Sequence, residues 1–99
     1  MDALTDIENY LLLKANSQRV INSILKFVFP EGVIVIDGTN GNYTTHQNSI
    51  NNENCTIYLD TTTFYKIKDK KINPIIAYTL KKIKVKGDIN LALKVVGFI

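Results

Sequence analysis

Residues 55–99, CTIYLDTTTFYKIKDKKINPIIAYTLKKIKVKGDINLALKVVGFI, decide how this chain is read. Cys55 to Leu59 alternates, Cys55, Ile57 and Leu59 facing one way and Thr56 and Tyr58 the other, which is the period of a strand. Asp60-Thr61-Thr62-Thr63 supplies a helix N-cap, and Phe64, Ile67 and Lys68 share one face of the short helix it opens. Pro74 suits the first turn of a further helix, where its missing N–H costs nothing. That helix, Ile75 to Leu80, presents Ile75, Ile76, Tyr78, Thr79 and Leu80. Lys82 to Lys86 is the cleanest strand, lysines to water and Ile83 and Val85 inward. Gly87 ends it, Asp88 caps, and Leu91 to Ile99 forms a last helix with only Lys94 polar. A helix apolar on nearly every side needs cover on both flanks. A short chain has little left to cover the second flank, so a bound apolar ligand or a dimer interface is the expected cover.

Upstream, Thr5 stands three residues before Glu8, a capping-box pattern that predicts a helix from Asp6 to Lys14. Val20, Ile21, Ile24 and Leu25 have helical spacing, yet Ile24 to Phe29 also reads as a strand. The preferred division is helix through Asn22 and strand from Ile24, with Pro30-Glu31-Gly32 as a turn. Val33 to Asp37 is a β-branched buried strand, Gly38-Thr39-Asn40-Gly41 a hairpin turn, and Asn42 to Gln47 its polar edge partner. Asn48 to Asn54 is a loop. The sum is α+β: a five-stranded, mostly antiparallel, mixed sheet with helices gathered on one face.

The 99 residues make a single domain, 45% hydrophobic and without a run long enough to span a bilayer. The acidic start MDALTDIENY is unlike a secretory leader, and one cysteine gives no disulfide framework, so a cytoplasmic location is expected. The Asn42-Tyr43-Thr44 and Asn54-Cys55-Thr56 sequons therefore carry no weight. The net charge of +3 divides unevenly: residues 1–60 hold three Lys/Arg against seven Asp/Glu, residues 61–99 nine Lys against two Asp. This basic half could meet anionic head groups or nucleic acid. Lysine is also an ordinary way to solvate a surface and protect an edge strand.

Catalytic chemistry finds little support. His46 is the one histidine, on a polar edge strand without further metal ligands. Cys55 points inward, where a free cysteine is a small hydrophobe rather than a nucleophile paired with His46. Asp37, Asp60 and Asp88 each have a turn or capping role. The Gly38–Gly41 segment lacks the helix and lysine of a phosphate loop. The expectation is no enzyme, metal or cofactor. Tyr65, Tyr78, Lys82, Lys84 and Lys86 mix aromatic and basic residues as a single-strand binder does. Yet the lone arginine, Arg19, stands far from them and no recognition-helix pattern occurs, so nucleic acid is not an expected partner.

In order and spacing, Cys55-Thr56-Ile57, Phe64, Asn73-Pro74, Ala77, Lys82-Ile83-Lys84-Val85-Lys86-Gly87-Asp88 and Leu91-Ala92-Leu93-Lys94 resemble the sterol carrier protein type 2 family. The likeness is good across residues 54–95, and Val33 to Thr44 resembles the family's second hairpin. It implies a helix, three antiparallel strands, a crossover to a fourth, further helices and a fifth strand. It also implies a hydrophobic tunnel between sheet and C-terminal helices that binds and transfers, without catalysis, a sterol, fatty acid, acyl-CoA, phospholipid or isoprenoid. Carried onto this sequence, the lipid-lining positions are Phe64, Ile67, Ile75, Ile76, Leu80, Leu91, Leu93 and Val95. Ile57, Leu59, Ile83 and Val85 make the pocket floor or plain core. Lys82, Lys84 and Lys86 make a rim for head groups or an anionic membrane. Lys70 and Lys81 depart from the family pattern by standing where it commonly has glycine. The first hairpin is shortened to Pro30-Glu31-Gly32, and the chain stops at Phe98-Ile99, which leaves the tunnel open, shallow or closed by a second copy. The alternative function is an accessory or dimerisation module of the same fold, its pocket filled by Phe64, Tyr78 and Phe98.

Overall fold

The computed structural model describes residues 2–17, 22–39, 43–48 and 52–99, and the side chains of Ser17 and Phe98 lie outside that description. Helix α1, Ala3–Ser17, is longer than the capping-box pattern predicts. Its first turn is closed by Asp2, whose Oδ1 accepts the Thr5 N–H at 2.8 Å. Those bonds from Thr5 hold the Asp2 carboxyl below its ordinary value. Glu8, the expected reciprocal partner of Thr5, instead accepts from Gln47 Nε2 at 2.9 Å and ties α1 to the edge of the sheet. Ile7, Leu11 and Ala15 recur every four residues and are buried, the one face of α1 that meets the sheet.

Strand β1, Ile24–Phe29, has the bounds read from the sequence, and Ile24 and Leu25 therefore belong to strand and not helix. The helical stretch expected over Val20 and Ile21 lies outside the described residues. β2, Gly32–Asp37, pairs antiparallel with β1 across the Pro30-Glu31 turn, Phe29 opposite Gly32. β3, Thr44–His46, lies against β2 as the polar edge expected, while Asn40 and Gly41 of the expected turn, Asn42 of the expected strand and residues 49–51 of the expected loop are outside the described residues. β4, Cys55–Tyr58, returns to run parallel to β1. α2, Thr61–Lys68, α3, Pro74–Thr79, β5, Lys84–Gly87, and α4, Ile89–Phe98, complete the chain. The sheet order is β3-β2-β1-β4-β5, antiparallel except for β1–β4. This is the α+β architecture expected, a five-stranded mixed sheet with four helices among the described residues.

Register sorts the side chains. Leu25, Phe27 and Phe29 of β1 stand beside Ile34 and Ile36 of β2 and Cys55 and Ile57 of β4, all in one buried cluster with residues of every helix. α1 covers the β2–β3 end of this face and α4 the β4–β5 end. The intervening residues Lys26, Val28, Thr56, Tyr58, Lys84 and Lys86 turn to the opposite face, which among the described residues is helix-free. There Glu53 pairs with Lys26 at 3.8 Å and accepts from Thr56 Oγ1 at 3.2 Å.

The boundaries of β5 and α4 also differ from the sequence reading. β5 begins at Lys84, because the N–H groups of Lys82 and Ile83 turn back to the Ala77 carbonyl at 2.9 and 3.4 Å to close α3. Gly87 lies within β5: at φ +95°, a Cβ there would stand 2.7 Å from the Asn54 carbonyl oxygen. α4 starts at Ile89 and not Leu91, although Asp88 is its cap as expected, its Oδ1 accepting the Leu91 N–H at 3.0 Å.

Candidate functional site

The eight apolar positions proposed for lipid contact separate into three environments. Phe64, Ile67 and Val95 are fully buried. Phe64 sits edge-on to Tyr10, Phe29 and Tyr65 at ring-centroid distances of 6.1, 6.0 and 6.0 Å. This aromatic cage is pinned from outside, Tyr10 donating to the Ile99 carbonyl at 2.6 Å and Tyr65 to Asp6 at 2.7 Å. The Asp6 contact raises the ionisation of the Tyr65 hydroxyl above its ordinary value. Leu91 and Leu93 on α4 are half-buried. Ile75, Ile76 and Leu80 point outward, 54%, 54% and 59% exposed.

That outward display follows from how α3 is built. Asn73 caps it, accepting the N–H groups of Ile75 and Ile76 at 2.8 and 3.4 Å, and Pro74 fixes its first turn as the sequence reading expects. Ala77 is its one buried residue. A six-residue helix resting on a methyl group leaves its large side chains on the flanks and outside.

Three clefts border these elements. One of about 300 Å³ lies between the α2–α3 connection and the end of α4, lined by Ile67, Ile72, Pro74, Val96 and Ile99 with Lys70 and Asn73. Another of about 520 Å³ follows the opposite end of α3 along β5, lined by Tyr78, Thr79, Lys81, Ile83, Lys84 and Val85. The third, about 320 Å³, sits at the end of the helix-free face between Val28, Pro30, Tyr58, Lys81, Lys82 and Lys84. Ile67 is the one proposed lipid contact lining any of the three. Ile72, Val96 and Ile99 were not assigned to the site from sequence. Their signal was the apolar pairing of the end of α4 with the segment before Asn73-Pro74. Lys84 and Lys86 point to solvent from the helix-free face, opposite Tyr58 and Thr56, and Lys82 precedes the strand.

The residues weighed for catalysis are kept apart. β2 and β1 stand between the strands of His46 and Cys55, three spacings and roughly 14 Å. Burial pushes the Cys55 thiol up to about 11, so at neutral pH it is protonated and not nucleophilic. His46 Nδ1 accepts the Asn48 N–H at 3.1 Å. Among the described residues no helix is long and apolar enough to cross a membrane.

A mixed sheet covered on one face by α1 and α4, with clefts flanking α3, defines a class of small α+β domains organised around an apolar interior. The chain belongs to the SCP-2 sterol transfer family, whose model matches residues 6–99. Comparison with curated protein sequences gives no match. Among solved structures, the chain resembles sterol carrier protein 2 like 2 of Aedes aegypti at 18% identity and TM-score 0.77, covering 98% of this chain and 96% of that one. A palmitated form of that mosquito protein is similar at TM-score 0.68 and 18% identity, over 95% and 87% of the two chains. The sterol carrier protein domain 2 of Helicoverpa armigera is similar at 20% identity and TM-score 0.76, over 93% and 81%. The sec-alkylsulfatase Pisa1 of Pseudomonas sp. shares the fold at 24% identity and TM-score 0.68, over 89% of this chain but 14% of the sulfatase.

Proposed function

We propose that this protein binds and carries an apolar lipid, without catalysis, in the space between the sheet and the C-terminal helices. The cleft between the α2–α3 connection and the end of α4 carries the reading, because it joins the surface to the buried residues Ile67, Val96 and Ile99. At about 300 Å³ it stands at the small end of ligand sites, roughly 300–1,000 Å³, and suits one aliphatic chain better than a fused-ring sterol. Each CH₂ buried there contributes about 0.8 kcal/mol, so a modest tail suffices for binding. Ile67 would lie against the tail together with Ile72, Val96 and Ile99, and Pro74 at the start of α3 would border it. Lys82, Lys84 and Lys86 would attract anionic head groups, raising the association rate more than the affinity.

Native mass spectrometry of the purified protein, with solvent extraction, tests the carrier directly: an apolar molecule should be retained, and a fluorescent fatty acid should compete for it. Ile72→Glu should weaken that competition at least tenfold. A protein that holds nothing and takes up no fatty acid would overturn the reading. Charge reversal at Lys82, Lys84 and Lys86 tests the rim, which fails if vesicle association and its salt dependence are unchanged. The second reading, an accessory or dimerisation module, is favoured by the Phe64 cage, where three ring contacts occupy the middle of the helix–sheet space. The share of Pisa1 that this chain covers agrees with such a fold serving as part of a larger protein.

A further inference from the structure

We propose that α3 is a membrane-docking wedge, its Ile75, Ile76 and Leu80 side chains entering an anionic lipid surface while Lys70 and Lys81 at its two ends engage the phosphates. Three large aliphatic side chains more than half exposed on a six-residue helix form an apolar surface that no described part of the fold covers. Their flanks are basic: Lys70 and Lys71 precede the helix, Lys81 and Lys82 follow it, and all four are exposed. Asp69, the nearest carboxylate in sequence, is paired with Lys68 at 3.7 Å. Among the described residues neither Lys70 nor Lys81 forms an ion pair.

The backbone makes those two lysines conspicuous. Each has φ +62°, the left-handed conformation that closes a helix and that glycine adopts without strain. A side chain is disfavoured in that conformation, and at both ends of α3 the residue that adopts it is an exposed lysine. The same charges argue against a second copy as the occupant. Two α3 faces brought together would set lysines of one against lysines of the other, whereas an anionic bilayer offers both apolar depth and opposite charge. Docking is independent of carriage, since a protein that binds vesicles but extracts no lipid satisfies one reading and not the other.

Cys55 is buried, so a single exposed cysteine can carry an environment-sensitive dye. Ile76→Cys is compared with Leu13→Cys on α1, where Leu13 is 72% exposed. Vesicles of phosphatidylglycerol and phosphatidylcholine should shift the dye at position 76 to the blue, and vesicles of phosphatidylcholine alone should not. In the unlabelled protein, Lys70→Gly with Lys81→Gly should raise the melting temperature while weakening vesicle binding about fivefold per lysine removed. No shift at 76, or a shift at 13 alone, would overturn the wedge. So would a dye response that rises with protein concentration in the absence of vesicles, which would assign the face to self-association. Unchanged vesicle binding by the glycine variant would remove the lysines from the proposal and overturn it as stated.

Discussion

α2 and α3 are consecutive, short and punctuated alike, yet the fold uses them in opposite ways. Each opens on a side-chain cap, Asp60 or Asn73, and each is followed by a lysine at φ +62°. α2 buries Thr63, Phe64 and Ile67, and Lys68 lies over the Tyr10 ring at 5.2 Å. α3 buries Ala77 and turns Ile75, Ile76 and Leu80 to the outside. Similar local signals thus make one helix a part of the core and the other a surface. Capping fixes where a helix begins and ends; what it covers depends on what stands opposite.

The sharpest way to break that contrast is to truncate one apolar residue in each helix. Phe64→Ala should cost about 3–5 kcal/mol, because it opens a cavity between three rings. Ile76→Ala should change stability by less than about 0.5 kcal/mol, as expected for a surface position. Chemical denaturation of both variants measures the pair, and equal losses would mean that α3 is packed after all. The caps should come next. Asn73→Ala and Asp60→Ala should each cost about 1 kcal/mol, equal in the two helices despite their unequal burial.

Acid then separates the two caps. The Thr63 backbone N–H, and after it the Thr63 hydroxyl, hold the Asp60 carboxyl below its ordinary value. The sign follows directly: this contribution is complete above the unfolded value of about 3.9 and fades as pH falls through the lower folded one. Asp60→Asn should keep the cap and flatten that part of the acid-unfolding curve, whereas Asn73→Asp should add a new acid-sensitive step. Melting curves between neutral and strongly acid pH would show both. The smallest effect is expected at the helix exits: Lys70→Gly or Lys81→Gly should stabilise by up to about 1 kcal/mol each, since the left-handed residue loses its side-chain strain. A loss at one exit and a gain at the other would show that the two exits are not equivalent.

Much of this was readable along the chain. Ile24 to Phe29 was readable as a strand although its first residues also fit a helix, and Asp60, Asn73-Pro74 and Asp88 mark helix starts through chemistry confined to neighbouring residues. The first helix shows where such reading fails. Thr5 and Glu8 fit a capping box, but Gln47, 39 residues beyond Glu8, takes the carboxylate, and Asp2 caps instead. The start of β5 was misplaced for a similar reason, the Ala77 carbonyl holding Lys82 and Ile83 in the exit of α3. The proposed lipid positions were carried over from the family resemblance by their place along the chain, a criterion that treats Phe64 and Ile76 alike.

Taken alone, the order of residues determined the strands, most helix starts, the α+β class and the lopsided charge, because each depends on side-chain alternation, capping or simple counting over short distances. Three-dimensional packing decided that β4 lies parallel to β1, that Phe64 is caged by Tyr10, Phe29 and Tyr65, and that α3 displays its isoleucines. Those outcomes require groups far apart in the chain to meet, and an apolar side chain is buried only if another surface arrives to cover it.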